Sequence, residues 1–166
     1  MSVVVSLGAD AAPPAVEYRW DADTDILTAR LAVREAGPGM TGSVGIEGSD
    51  GSWLIIEVQG GQIAGVEIAV WPDVAIVPAL QPPSGVVNAQ PTIPARPSQP
   101  GVASVEMDTR LTARADAAER TIHFRLGNPR VSTTVRAGSD LLLELDGARQ
   151  IVGVWMLNVP PFPSAT

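Results

Sequence analysis

The stretch EVQGGQIAGV at residues 57–66 returns in altered form as ELDGARQIVGV at residues 144–154. Both contain Glu-x-x-Gly and then, after a one-residue insertion in the second, Gln-Ile-x-Gly-Val. The match extends towards the N-terminus of each stretch, in the same order. There Asp21, Leu27, Arg30 and Leu31 align with Asp116, Ile122, Arg125 and Leu126. An ordered series of matching blocks predicts that the chain arose by duplication.

Short apolar runs alternate with turn residues along both halves, at the spacing of about 8–12 residues that is typical of β proteins. No window has the period and the length of a helix, although a short helix around Arg114–Arg120 stays open. The predicted strands are Val16–Trp20, Ile26–Val33, Thr41–Glu47, Ser52–Val58, Ile63–Val70, Val105–Ala115, Thr121–Leu126, Val131–Ala137, Leu141–Leu145 and Ile151–Val159.

Prolines separate the two halves, because eight of the thirty residues from 72 to 101 are proline. Proline cannot donate a backbone hydrogen bond, so this stretch is predicted to be an extended linker. Its apolar runs at 74–77 and 86–87 indicate that it lies against a surface. We therefore divide the chain into an N-terminal arm (1–15), β repeat 1 (16–71), a proline-rich linker (72–101), β repeat 2 (102–159) and a C-terminal tail (160–166).

The predicted fold class is all-β. Two related antiparallel β-meander repeats are expected to pack as a sandwich, or to form one continuous sheet, with pseudo-two-fold symmetry. Each five-strand unit has one apolar face, and burying that face against the other unit would complete a core.

Charge is distributed unequally along the chain. The net charge is −7, and all eleven basic residues are arginine. Residues 1–83 hold three arginines against eleven acids, whereas residues 84–166 hold eight against seven. The acidic half repels phosphate backbones, and no aromatic residues are interleaved with the arginines of the other half. We therefore expect no nucleic-acid partner.

Cysteine is absent, which excludes disulfides and thiolate chemistry. The apolar run Val3-Val4-Val5 follows no basic start, and no window approaches the roughly twenty apolar residues that span a bilayer. We expect no signal peptide, no membrane partner and a cytoplasmic location.

Residues 20–31, WDADTDILTARL, resemble the opening of a bacterial family known as domain of unknown function 2283, which typically begins YDxxxDxLYIxL. The closing block of that family, similar to GxIVGIEIL, resembles GQIAGVEI at residues 61–68. Trp20 replaces the tyrosine, while Asp21 and Asp25 fit the pattern. The second half departs from it at Ala115, Arg120 and Trp155. The resemblance implies a small β-rich fold and no particular activity.

Asp21, Asp23 and Asp25 alternate as the first ligands of a calcium-binding EF-hand loop do. That loop requires glycine at its sixth position and glutamate at its twelfth, where this chain has Ile26 and Ala32. A hairpin turn, in which aspartate side chains accept hydrogen bonds from nearby backbone N–H groups, is the favoured interpretation. We predict no metal and no cofactor, but we keep the three aspartates as possible interaction or site residues.

His123, the one histidine, lies on a predicted strand whose other face carries Ile122 and Phe124. This spacing predicts a histidine on the solvent side rather than a catalytic base. The chain has no Gly-x-Ser-x-Gly motif for a serine nucleophile and no lysine for a phosphate-binding loop. We assign no catalytic residue.

Four tryptophans stand out in a chain with one tyrosine and two phenylalanines. Trp53 and Trp155 fall in predicted strands, where packing is the expected role. Trp71 lies beside Pro72 at the start of the linker and is a candidate anchor for a partner, because tryptophan is enriched at binding hot spots.

These observations favour a non-enzymatic protein-binding or assembly module that contacts a protein partner or a second copy of itself through strand edges, the proline-rich segment and exposed tryptophans. The first alternative is a small carboxylate-dependent hydrolase or sugar-binding enzyme with Asp21, Asp25 or Glu67 at its site. The second is a structural component of a larger particle, in which the termini and residues 72–101 clamp neighbouring chains.

Overall fold

The computed structural model describes residues 3–9, 12–33, 37–95, 102–128 and 132–163. Parts of the predicted arm (1, 2, 10, 11), linker (96–101) and tail (164–166) lie outside these ranges, as does residue 131 of a predicted strand. The strands form two sheets, of eight and six strands, which confirms the all-β prediction. No helix in the described ranges is long and apolar enough to cross a membrane.

The first sheet contains β1 (Ser6–Leu7), β2 (Val16–Asp21), β3 (Ile26–Leu31), β4 (Thr41–Gly48), β5 (Trp53–Gln59), β6 (Gln62–Val70), β8 (Pro91–Thr92) and β9 (Val102–Thr109). The second contains β7 (Val74–Ile76), β10 (Leu111–Ala115), β11 (Ile122–Leu126), β12 (Thr133–Gly138), β13 (Leu141–Leu145) and β14 (Ile151–Met156). Residues 114–120, where a helix stayed open, form the end of β10 and a turn.

The five main strands of each half follow the same spatial order. The first half runs β2-β3-β6-β5-β4, and the second runs β10-β11-β14-β13-β12. This order differs from the predicted meander, because β3 lies beside β6 and β11 lies beside β14. Three consecutive antiparallel strands with a fourth beside the first form a Greek key. Alternation in a sequence identifies a strand without identifying its neighbour, which is why the meander prediction misplaced the third strand of each half.

The two halves also share strand register. Thr28 pairs with Glu67, which pairs with Ile55 on its other side. At the aligned positions His123 pairs with Trp155, which pairs with Leu142. Register shifts follow Glu57 in one half and Glu144 in the other. Duplication remains a prediction, and the common register agrees with it.

Strands cross between the sheets at two places. β7 follows β6 in the chain but pairs in parallel with β10 of the second sheet. β9 pairs in parallel with β4 of the first sheet over eight residues, and the chain then enters β10 after Arg110. Both sheets are therefore mixed rather than antiparallel. The predicted strand Val105–Ala115 is two strands, and its first part completes the sheet of the other half.

The two sheets share one hydrophobic core, as expected for a sandwich. Along β5 the side chains of Leu54, Ile56 and Val58 are buried in it, while Trp53 and Glu57 point outward. The second sheet contributes its own alternating set, such as Phe124 and Leu143, to the same cluster. The outer face of each sheet is the face opposite this core.

Candidate functional site

The aspartate-rich segment forms the turn between β2 and β3. The Asp21 carboxylate accepts a hydrogen bond from the Asp23 N–H (3.0 Å), and the Asp21 carbonyl accepts one from the Asp25 N–H (2.8 Å). Asp25 has a φ of 60°, a conformation that aspartate adopts more readily than most residues. All three side chains are exposed. These contacts match the hairpin interpretation, and no group of three potential metal ligands occurs among the described residues.

The structure places four of the five predicted site residues in two grooves. Asp25 and Trp71 line an aromatic groove at one edge of the sandwich. Asp21 and Glu67 line a polar groove of about 440 Å³ on the outer face of the first sheet. Asp23 lines neither groove.

The aromatic groove is built around two stacked tryptophans. Trp20 at the end of β2 and Trp71 just after β6 have ring centroids 5.7 Å apart and ring planes 17° apart. The Phe162 ring meets the Trp20 ring edge-on, with the centroids 5.1 Å apart. The Trp71 ring also packs against the ring of the core residue Phe124, with the centroids 5.7 Å apart. The Trp71 indole N–H donates to the Asp25 carbonyl (2.7 Å), which attaches the tryptophan to the aspartate turn.

This groove lies between the two sheets and has a volume of about 400 Å³. Val74 and Ile122 belong to the strands of the second sheet that line it, and two exposed acids, Asp25 and Glu119, line it as well. No arginine is among its lining residues in the described part of the chain. The groove is therefore apolar and aromatic, with negative charge at its rim.

Strand β7 forms an edge of the second sheet beside the groove. Val74 and Ile76 are 37% and 51% exposed, although both are apolar. The Val77 N–H donates to the Ala115 carbonyl (2.8 Å), on the β10 side. Because alternate residues of a strand point their N–H and C=O groups the same way, Ala75 also faces β10, and Val74 and Ile76 face away. No strand of the described ranges pairs with β7 on that side.

A second polar cluster, absent from the sequence predictions, surrounds His123 on the outer face of the second sheet. His123 lies opposite Ile122 and Phe124 as predicted, but it is only 2% exposed, so the solvent-side prediction is wrong. The Arg114 guanidinium contacts His123 Nδ1 at 2.8 Å, and His123 Nε2 contacts Glu144. A guanidinium only donates, so Nδ1 accepts and the ring proton lies on Nε2, from which it is donated to Glu144.

A proline-rich strip of chain buries this cluster. Residues 77–87, which we name the cover segment, run from β10 to β12 across the outer face. Leu80 packs on Leu142 and Trp155 near the middle, and Val87 forms a bridge to Val135 at the far edge. Two apolar residues on the outer face, Leu142 and Trp155, were the sequence signal that something covers it.

Glu144 accepts several hydrogen bonds beneath the cover segment. Besides His123, the donors are the Ser132 hydroxyl and the Trp155 indole N–H, each at 3.1 Å. Burial raises the pKa of Glu144, but these hydrogen bonds outweigh burial and hold the pKa below its ordinary value. A Cβ at Gly153 would collide with the Glu144 carboxylate, so glycine makes room for it.

The histidine cluster is organised for structure rather than for proton transfer. Both nitrogens of His123 have protein partners, and the ring stacks on Trp155 at 4.2 Å. A general base needs a nitrogen within reach of substrate, and here the cover segment lies over the face. The aromatic groove, in contrast, is open to solvent.

In comparisons with known proteins, no family model and no curated protein matches this chain. The resemblance to the domain of unknown function 2283 family therefore remains a prediction, and the candidate function depends on the grooves themselves.

Proposed function

We propose that this protein is a non-enzymatic protein-binding module that takes up an extended segment of a partner at the β7 edge and in the adjoining aromatic groove. The observation that carries the proposal is the position of an unpaired apolar strand edge directly beside an aromatic groove. In strand addition, main-chain hydrogen bonds supply affinity and a neighbouring pocket selects a side chain.

The edge itself favours pairing. Proteins usually shield edge strands with charge, proline or covering chain. Within β7 the side chains are Val74, Ala75 and Ile76, and the shielding residues Pro72, Asp73 and Pro78 lie outside the strand. An added strand would meet the outward-facing N–H and C=O groups of Val74 and Ile76, and its alternate side chains would face the groove that Val74 lines.

Charge defines the partner further. Asp25 and Glu119 line the groove without a basic neighbour among its described lining residues. The whole chain also has a net charge of −7, so a basic segment would be attracted and an acidic one repelled. The partner segment that fits best is extended, carries apolar or aromatic side chains and contains arginine or lysine. The expected cytoplasmic location, which rests on the absence of cysteine, belongs to the same proposal.

Strand addition is tested by placing a proline in the edge strand β7. Ile76→Pro removes an N–H that faces away from β10, so the native pairing should survive while an added strand loses its donor. Peptides selected for binding to the wild-type protein from a random library should be basic and extended. We expect them to bind Ile76→Pro about tenfold more weakly or worse, as measured by isothermal titration calorimetry.

The matched control is Ile76→Thr, which keeps the N–H and the β-branched shape and should retain most of the affinity. Equal binding by the wild type and Ile76→Pro would contradict strand addition. Light scattering on the same two proteins tests the self-association version. If a second copy fills the edge, the wild type should have twice the mass of Ile76→Pro.

One observation favours the enzyme alternative. Asp21 and Glu67 share the polar groove with Arg19 and Arg30. Within the described residues, the side chains of Glu67, Arg19 and Arg30 make no hydrogen bond or ion pair. These groups are therefore available to a polar ligand such as a sugar. The Asp21→Asn/Glu67→Gln double variant should abolish any glycan binding or hydrolysis detected on an array of oligosaccharides, whereas Glu57→Gln should not.

A further inference from the structure

The C-terminal segment of the described chain is confined to an extended form by its own sequence. It reads Val159-Pro160-Pro161-Phe162-Pro163, so three of its residues precede a proline. A residue before proline is restricted to β or polyproline II conformations, and proline itself has a fixed φ. The segment is thus a short polyproline-like rod with few N–H groups.

This rod is docked on the aromatic groove. Val159 anchors it, being fully buried, with its N–H donating to the Arg120 carbonyl (2.9 Å). The Trp20 indole N–H then donates to the Pro160 carbonyl (2.8 Å), and Phe162 lies edge-on against the Trp20 ring at 5.1 Å. Beyond Pro160 the side chains are exposed, with Phe162 at 43%.

These contacts match a known mode of peptide recognition. A tryptophan that donates its N–H to a proline carbonyl, with neighbouring rings packed along the chain, is the arrangement by which aromatic grooves recognise polyproline II segments. Proline carbonyls are free to accept because the segment forms no internal hydrogen bonds. The same rod leaves Trp71, Val74 and Ile122 lining open space beside it.

We infer that the aromatic groove binds proline-rich, basic segments of a partner protein, and that residues 160–162 are its resident occupant, which a partner displaces from Trp20. The inference rests on one part of the proposed function, the uptake of a partner segment in the aromatic groove, and it narrows the class of partner. The acids Asp25 and Glu119 select basic residues beside the prolines. Phe162 is 43% exposed and meets Trp20 only edge-on, which permits exchange, while buried Val159 keeps this segment attached to the sandwich.

The test compares two synthetic peptides of equal charge on the full chain. One has arginines flanking Val-Pro-Pro-Phe-Pro, and in the other threonine and valine replace the prolines. Binding is followed by NMR through the indole N–H signals of Trp20 and Trp71. The proline peptide should shift both signals, and the matched peptide should leave the Trp20 signal unchanged.

The decisive variant is Phe162→Ala, which removes an exposed contact of the resident occupant and should not disturb folding. We expect it to bind the proline peptide several-fold more tightly than the wild type does. Unchanged or weaker binding would contradict the displacement model. Unchanged binding would mean that Phe162 does not compete with the peptide, and weaker binding would mean that Phe162 itself contacts the peptide as part of the groove.

The two peptides also separate this inference from the proposed function. If the proline-free peptide binds in an Ile76→Pro-sensitive manner and the proline peptide does not bind, strand addition stands and the polyproline inference fails. If neither peptide binds, the polyproline inference fails, and the library-selected peptides with Ile76→Pro decide strand addition. If the proline peptide binds with equal affinity to the wild type and to Ile76→Pro, recognition belongs to the groove and strand addition fails.

Discussion

The outer faces of the two sheets carry different side chains on the same strand framework. The first sheet presents Thr28, Glu67 and Ile55 in a row across three strands, all partly reachable by solvent. At the matching positions the second sheet presents buried His123, Trp155 and Leu142 beneath the cover segment. The order and register of the strands determine where these side chains lie, and the cover segment determines whether they are exposed to solvent.

The difference also separates two kinds of polar residue. Under the cover segment every buried polar group must find a partner, and Glu144 has three. On the open face Glu57, the aligned residue, is exposed and makes no side-chain hydrogen bond within the described ranges. Register-matched substitutions should therefore have very unequal effects, and they test the comparison directly.

The largest effect is expected from exchanging residues between the faces. Trp155→Glu places a second carboxylate beside Glu144 under the cover segment and removes the ring that packs on Leu80. The free energy of unfolding should fall by about 3–5 kcal/mol, as for a buried unpaired charge. Urea denaturation measures it.

The control for that exchange is Glu67→Trp on the open face, where the change should stay within about 0.5 kcal/mol. Losses of similar size from both variants would mean that the two outer faces are equally covered, and the comparison would be wrong.

The next effect concerns the cover segment itself. Leu80→Ala removes the side chain that packs on Leu142 and Trp155, and it should cost about 2 kcal/mol, near the low end for a buried leucine. The tryptophan fluorescence emission should shift to longer wavelength because the Trp155 ring becomes more exposed to solvent. Ile55→Ala on the open face should cost less than about 1 kcal/mol, and an unshifted Leu80→Ala spectrum would show that Leu80 does not hold the segment down.

A smaller effect is expected from the carboxylate. Glu144→Gln leaves at least one donor of the cluster unmatched and should cost about 1–2 kcal/mol at pH 7. The register-matched control Glu57→Gln should change stability by less than about 0.5 kcal/mol.

The same carboxylate predicts a pH dependence. The pKa of Glu144 is lower in the folded state than its ordinary value of 4.5, so as the pH falls below that value the unfolded chain takes up the proton first. The stability that Glu144 contributes is full above this range and is lost as the pH falls through the folded-state pKa. Wild-type stability should therefore decline in acid more steeply than that of Glu144→Gln, as measured by thermal melts from pH 7 to 3. Parallel curves would contradict this account of Glu144.

The smallest effect separates the two aligned turns. The Asp116 carboxylate accepts hydrogen bonds from the N–H groups of Arg120 and Thr121 (2.8 and 3.2 Å), whereas the Asp21 carboxylate accepts one, from Asp23. Asp116→Ala should therefore cost about 1 kcal/mol and Asp21→Ala about 0.5 kcal/mol. Calorimetry with added calcium should show no binding to the wild type or to either variant, since these carboxylates accept hydrogen bonds within their turns. Calcium binding lost in Asp21→Ala would restore the cation-site interpretation.

The strands and the turns were set by the sequence. The short apolar-rich runs at Trp53–Gln59 and Leu141–Leu145, bounded by turn residues, are local information, and so is the preference of Asp21 and Asp25 for a turn. These features need only neighbours a few residues away, and the predicted strands agree with the observed ones there to within a residue or two. The matching blocks at 57–66 and 144–154 likewise anticipated the common register of the two halves.

Only the tertiary structure decided which strands are neighbours, which chain covers which face and where the candidate site lies. Trp20, Trp71 and Phe162 meet although they are far apart in the sequence, because β2, β6 and the C-terminal segment end at one edge of the sandwich. His123 has the alternation of a solvent-facing residue but is buried among Arg114, Glu144 and Trp155, and Leu80 of the cover segment packs on that same Trp155. The apolar residues Leu142 and Trp155 indicated that some chain covers this face, but the pattern around His123 did not, so the sequence located the strand without identifying its surroundings.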